Sequence, residues 1–279
     1  MPSNAHILLI DCPDEKGLIH RITGILAGHA LNILKNDEFV DAQSSWFFMR
    51  TEFEGDINQE LLKKELLGQL PSGTNLHLNP RKKKDIVVLA TKEHHCLGDL
   101  LIRYAYDELD ATILAVVSNH NALQGLTAKF GIPFHYISHE HRTREEHEAA
   151  IGLALDIYKP EYLVLAKYMR VLTPQFISRY PNKIINIHHS FLPAFIGANP
   201  YKQAFDRGVK IIGATAHFVN ENLDEGPIID QNVIQVNHRF NADEMSRAGR
   251  DVEKIVLARA LKFVFQDRVF IYGNKTVIF

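Results

Sequence analysis

Ile184-Ile185-Asn186-Ile187-His188-His189-Ser190-Phe191-Leu192-Pro193 opens as an apolar strand and closes on polar side chains and a proline. Side chains alternate along a strand, so Asn186 and His188, two apart, project to the same side of a sheet and face one pocket. A third polar group follows at Asp224, in Asn222-Leu223-Asp224-Glu225-Gly226-Pro227, between the strand-like runs Ile211 to Val219 and Ile228 to Val236. Gly226 and Pro227 force a fixed turn there, and loops carried by a rigid sheet are the usual seat of active-site carboxylates. An amide, an imidazole and a carboxylate at one point suit nucleophilic attack on a carbonyl. The Asn186 amide N–H and a protonated His188 hold the oxygen that becomes negative, and Asp224 moves protons on nucleophile and leaving group. Burial is expected to raise Asp224 above the aqueous value of about 3.9. An Asn-x-His pair at a strand end also serves as a structural hydrogen-bonded pair, and the residues alone leave both readings open.

Outward from this stretch, Ile86 to Ala90, Ala111 to Val117, Pro133 to Ile137 and Tyr162 to Ala166 are short apolar runs separated by helical segments. That alternation predicts an α/β domain with a doubly wound, mostly parallel sheet over residues 85–279. Thr143-Arg-Glu-Glu146 is a capping box for a helix through Tyr158, Thr173-Pro174 opens another helix, and Asn199-Pro200 opens one closed by Gly208. Asn241-x-x-Glu244 caps a last long helix to about Gln266. Ligands bind at the carboxyl ends of such strands, where Asn186 and His188 stand.

Before it, residues 1–84 read as βαββαβ. Ala5 to Ile10 is a strand, and Leu18, Ile22, Ile25 and Leu26 share one face of a helix. Asn32-Ile33-Leu34 and Gln43 to Phe53 are strands, Asn58 to Leu70 a helix, and Leu76 to Leu78 a strand. Pro80-Arg81-Lys82-Lys83-Lys84-Asp85 breaks the pattern as a linker. Its four consecutive cations are a solvated connection or an attraction for an anionic substrate tail.

The 279 residues, 46% hydrophobic and 23% charged, suffice for two globular domains. Lys plus Arg total 31 against 33 Asp plus Glu, so no basic field points to nucleic acid. Cys12 and Cys96 are too few for a disulfide framework. No apolar run reaches the roughly 18 residues of a membrane helix, and Met1-Pro2-Ser3-Asn4 lacks the basic start of a signal peptide. A cytoplasmic protein is expected, with no membrane partner. Among the 15 histidines, no His-Glu-x-x-His spacing occurs, nor any Cys-x-x-Cys, and adjacent His94 and His95 are poorly placed to chelate together, so no metal is expected. His139 and His141 lie on a polar loop and read as solvated. His217 stands seven residues before Asp224, either to hold that carboxylate or as a structural histidine.

Three segments agree in order and spacing with a known family. Asn186-Ile-His188-His-Ser190-Phe-Leu192-Pro193, Leu223-Asp224-Glu-Gly226-Pro227 and Leu165-Ala-Lys-Tyr-Met169-Arg170-Val171-Leu172 resemble the folate-dependent formyltransferase fold. Over both domains the chain is similar to the formyltetrahydrofolate deformylases. The resemblance implies 10-formyltetrahydrofolate as substrate, water as acceptor and no cofactor. It assigns the pterin to a cleft beside Met169, Arg170, Val171, Leu172 and the Asp224 loop with Gly226. Transferase relatives follow the first strand of this domain with a glycine- and serine-rich phosphate loop, whereas this chain has Thr91-Lys-Glu-His94-His95-Cys96-Leu97-Gly98, whose bulk and acidic Glu93 obstruct a phosphate. They commonly carry proline at the position of His189, whose role is left open.

The first domain, with Asp14-x-x-Gly17-Leu18 and Asn32-Ile33, resembles the ACT domain. That implies dimerisation or a small amino-acid effector such as glycine or methionine, with Asp11, Asp14, Gly17, Leu18 and Asn32 around the start of the first helix, and a homo-oligomer. Two other functions stay open: formyl transfer to an amine, and folate sensing without turnover.

Overall fold

The computed structural model describes residues 4–194 and 200–279; the Asn199 expected to open a helix lies outside them. The chain forms two compact units.

The first unit runs β1 (Ala5–Pro13), α1 (Leu18–Gly28), β2 (Asn32–Asp41), β3 (Trp46–Glu54), α2 (Gln59–Gln69) and β4 (Asn75–Pro80). It is the expected βαββαβ order, closed as an antiparallel sheet in the order β2-β3-β1-β4. Leu8, Ile10, Leu18, Ile22, Leu26, Phe53, Leu62 and Leu66 form its core. Burial on this scale contributes about 1.5 to 3 kcal/mol per large side chain, which is what holds two short helices on the sheet. The second strand outruns its expected end at Leu34: polar Lys35 to Glu38 continue as an edge strand because β3 supplies their hydrogen-bond partners. Gln43 to Ser45 are turn rather than strand, with Asp41 accepting from the Gln43 N–H at 3.1 Å and the Ser44 hydroxyl at 2.7 Å.

In the second unit the elements are β5 (Lys84–Ala90), α3 (His95–Ala105), β6 (Ala111–Ser118), α4 (Gln124–Ala128), β7 (Phe134–Tyr136), α5 (Arg144–Tyr158), β8 (Tyr162–Ala166), α6 (Pro174–Ile177), β9 (Ile184–His188), α7 (Pro200–Arg207), β10 (Ile211–Phe218), β11 (Ile228–Gln235) and α8 (Ala242–Phe265). The sheet order is β11-β10-β9-β8-β5-β6-β7, parallel from β9 to β7 and antiparallel at β10 and β11. Strand order reverses between β5 and β8, which opens a crevice at their carboxyl ends. There the Met169 N–H donates to Thr91 Oγ1 at 2.9 Å.

Lys84 is not part of a solvated linker. It begins β5 and is buried at 4% exposure, Lys83 pairs with Asp107, and Arg81 pairs with Glu52. Strand pairing with β6 thus begins inside the charge run.

Both halves of the Thr143 capping box are present. Glu146 N–H donates to Thr143 Oγ1 at 3.1 Å and Thr143 N–H to Glu146 Oε2 at 2.8 Å. Thr143→Ala is expected to cost about 1 kcal/mol, read as a lower urea midpoint at unchanged slope; an unmoved midpoint refutes it.

A hairpin that sequence reasoning overlooked ends the chain: β12 (Val269–Tyr272) and β13 (Lys275–Ile278). Its signal was present in the two-residue Gly273-Asn274 turn between apolar runs. Gln266–Phe270 and Val277–Phe279 pack with the first unit, so that unit is not confined to residues 1–84. Buried Arg50 explains part of this, donating from Nε to the Asp267 carbonyl at 2.9 Å and from Nη2 to the Gln266 carbonyl at 3.0 Å. Phe270 lies edge-on to Phe48 at 5.5 Å. Among the described residues no helix is long and apolar enough to cross a membrane.

Candidate active site

Asn186 and His188 stand at the carboxyl end of β9 and line one cavity of about 260 Å³, as the strand period requires. Asp224 reaches the same cavity from the loop after β10. Its backbone is left-handed, φ 58°, a conformation aspartate tolerates better than most residues and one that recurs at functional sites. Phe218 N–H donates to the Pro227 carbonyl at 2.9 Å and closes this loop. Gly226 does not line the cavity as a substrate contact: a Cβ there would run into the Phe218 carbonyl oxygen, so its absence lets the loop close. The turn of the terminal hairpin braces the loop too, Asn274 Nδ2 donating to the Glu225 carbonyl at 2.9 Å and Thr276 Oγ1 to that of Ile228 at 2.6 Å.

The three polar groups converge. His188 Nδ1 lies 3.2 Å from Asp224 Oδ1. That hydrogen bond orients the ring and leaves Nε2 buried, without a protein partner among the described residues. Antiparallel register sets His217 of β10 opposite Asn186 of β9, and His217 Nε2 is 3.2 Å from Asn186 Nδ2 and 3.7 Å from Asp224 Oδ1. His217 Nδ1 donates to the Phe218 carbonyl at 2.9 Å. The neutral His217 ring therefore accepts one Asn186 amide proton and leaves the other for a ligand, while the protonated ring turns its second N–H to Asp224. Of the two roles left open for His217, the geometry selects the positioning one.

Asp224 departs from expectation. Burial by itself raises its carboxyl, but hydrogen bonds from His188 and His217 and their charge outweigh burial and hold it well below the usual range. His189 goes the other way: burial, then the charge of Lys167, lowers it to about 4, so its ring is neutral. It stacks on His188 at 5.1 Å.

Met169, Arg170, Val171 and Leu172 wall the cavity beside Val219 to Leu223. Sequence reasoning passed over Lys167, which lines it as well. Lys167 Nζ lies 3.2 Å from Glu253 Oε2 of α8, and Glu253 also accepts from His95 Nε2 at 2.7 Å and from the Tyr201 hydroxyl at 2.6 Å. Buried His95, Cys96 and Glu253 place donor atoms within 4.8 Å of one another, the one such group of three among the described residues. The Lys167 ammonium already supplies the positive charge that this carboxylate needs, and burial drives the Cys96 thiol up, away from the thiolate a metal requires. This arrangement fits an ion pair better than a metal centre.

The candidate effector residues gather less well. Asp11 belongs to β1 rather than to a loop, and its carboxylate already accepts from Trp46 Nε1 at 3.0 Å and Asn75 Nδ2 at 2.9 Å. Leu18 is in the core, and Asn32 donates to Glu54 at 3.0 Å. Strand pairing and packing claimed these side chains. Asp14 is exposed, its N–H donating to the Ser45 carbonyl at 2.8 Å. Gly17, at φ 87°, starts α1 without a side-chain cap.

Residues 84–261 match the formyl transferase family model and residues 6–70 the ACT domain model. A formyltetrahydrofolate deformylase of Escherichia coli is 60% identical over 272 residues, covering 98% of this chain and 97% of that protein. One from Haemophilus influenzae is 59% identical, covering 98% of each. The crystal structure of a formyltetrahydrofolate deformylase from Pseudomonas syringae superposes with a TM-score of 0.95 at 40% identity, covering 100% of this chain and 95% of that one. With both domain models matched in order and this identity sustained along the whole length, the chain belongs to the formyltetrahydrofolate deformylase family.

Proposed function

We propose that the protein hydrolyses 10-formyltetrahydrofolate to formate and tetrahydrofolate. The observation that carries the reading is the contact of His188 with Asp224 at 3.2 Å, with Asn186 on the same strand face and the buried His188 Nε2 free for a substrate oxygen. Met169 to Leu172 and the loop from Asn220 to Leu223 are the walls for the pterin. Water attacks the formyl carbon, and the oxygen that becomes negative is held by protonated His188 Nε2 and the second Asn186 amide proton. As the new C–O bond forms, the attacking oxygen becomes a strong acid, so even the weakly basic Asp224 takes its proton. Breaking the bond between the formyl carbon and N10 passes that proton to the nitrogen. Formate and tetrahydrofolate leave, and the second water proton goes to solvent. No metal or redox group enters any of these steps.

The ACT unit supplies regulation in this reading: uncapped N–H groups behind Gly17 suit the carboxylate of a small amino acid such as glycine or methionine. Two buried free thiols suit a cytoplasmic enzyme.

Purified protein given 10-formyltetrahydrofolate and no amine is expected to release formate and tetrahydrofolate in equal amounts. Release only when an amine is added makes it a transferase, and binding without release makes it a sensor; either result overturns the proposal.

A further inference from the structure

An active site that passes a formyl group to water faces a chemical difficulty, because amines are the better nucleophiles and abound in cells. Something beside the triad must turn them away. Lys167 stands at that place. It follows β8 directly and shares the cavity with Asn186, His188 and Asp224. Its backbone is left-handed, φ 60°, where glycine is relaxed and a residue with a Cβ is strained. Residues held in this conformation cluster at functional sites.

The side chain is also in an expensive setting. Lys167 is 5% exposed and Glu253 is 1% exposed. A buried ion pair contributes little net stability against an apolar pair of the same size, so its presence beside a reaction centre points away from folding and toward specificity. Glu253 is in turn fixed by His95 and Tyr201, and the Tyr201 ring meets His189 at 6.2 Å. The ammonium is therefore fixed by a partner that is itself held in a rigid frame, on a residue that lines the cavity.

We propose that the Lys167–Glu253 ion pair is the specificity determinant of this site: its fixed ammonium and the volume it fills bar amines, which arrive largely as cations, while neutral water enters freely. Like-charge exclusion of this kind discriminates without adding any contact to the favoured substrate. The inference rests on the hydrolytic reading above. Where the barrier is removed, the ammonium gives one proton to solvent, the neutral amine nitrogen then bonds to the formyl carbon, the bond to N10 breaks, and a second amine proton passes through Asp224 to N10, giving an N-formyl amine and tetrahydrofolate.

The test uses the full-length protein with 10-formyltetrahydrofolate and glycinamide, counting formate against N-formylglycinamide. Lys167→Gly relieves the backbone strain and removes charge and bulk together. Lys167→Met keeps the bulk, and Lys167→Arg keeps the charge. Wild type and Lys167→Arg are expected to yield formate, whereas the formylamide share rises at least about tenfold in Lys167→Gly and less in Lys167→Met. A merely structural lysine would change rate or melting temperature without moving this ratio. Formate as sole product from both Lys167→Gly and Lys167→Met overturns the inference, as does loss of both products from well-folded variants. Failure of the wild type to release formate overturns the hydrolytic reading instead, so the two are separable.

Discussion

Asp224→Asn is expected to lower single-turnover formate release by at least about 10²- to 10³-fold, with the substrate still bound. The substitution keeps the shape of the side chain and removes three things together. The proton acceptor for water is lost, the negative charge beside His188 is lost, and the acceptor that fixes His188 Nδ1–H is replaced by a group able to donate in its place. Near wild-type turnover would remove Asp224 from the reaction. Stability provides an independent check of its charge state. The folded carboxyl sits below its unfolded value of 3.8, so its contribution is whole above that value and drains away as pH falls beneath it. The Asp224 part of the stability difference between wild type and variant should accordingly be whole above about pH 4 and be lost in stronger acid. A difference that persisted undiminished into strong acid would contradict the two-imidazole geometry.

His188→Ala is expected to lose about 10²- to 10³-fold in kcat, as for removal of one oxyanion donor. Its Nε2 is buried and has no partner among the described residues, which is where a developing charge has most to gain from a donor. The loss should fall on kcat and kcat/KM alike; a rise in KM at unchanged kcat would reassign His188 to simple binding. A second signature belongs to this variant. Without the hydrogen bond from His188, burial weighs more heavily on Asp224 and its carboxyl rises, so the acid limb of the residual activity should move to higher pH. An acid limb that stays where it is in wild type would show that His217 alone holds the carboxylate down.

Much of this site was readable because its key spacing is local. Asn186 and His188 share a face through the two-residue period of a strand, and their pocket follows from ligands seating at strand ends. The capping boxes at Thr143 and Asn241 were legible for the same reason, since donor and acceptor lie within one helical turn. His217 was visible as a candidate but not as a partner. What decides its role is the β9–β10 register that sets it opposite Asn186, and register is a property of paired strands. Lys167 lay inside a quoted motif and still went unread, because its meaning depends on Glu253, His95 and Tyr201 arriving from three other elements. Gly226 was read as a substrate contact and proved to be a close approach to the Phe218 carbonyl, a distinction that only packing can make.

From composition, periodicity and motif alone came two domains, a βαββαβ unit followed by a doubly wound sheet, and the identity of an amide, an imidazole and a carboxylate suited to attack on a carbonyl. These follow from interactions between near neighbours, which act the same way in any fold. Tertiary structure decided the rest: that the carboxyl end of the chain packs with the first unit, that Asp224 is driven down rather than up, and that a lysine ion pair stands beside the triad. Each depends on groups distant in sequence meeting in a medium of low dielectric, where the sign of an effect is set by which partner arrives.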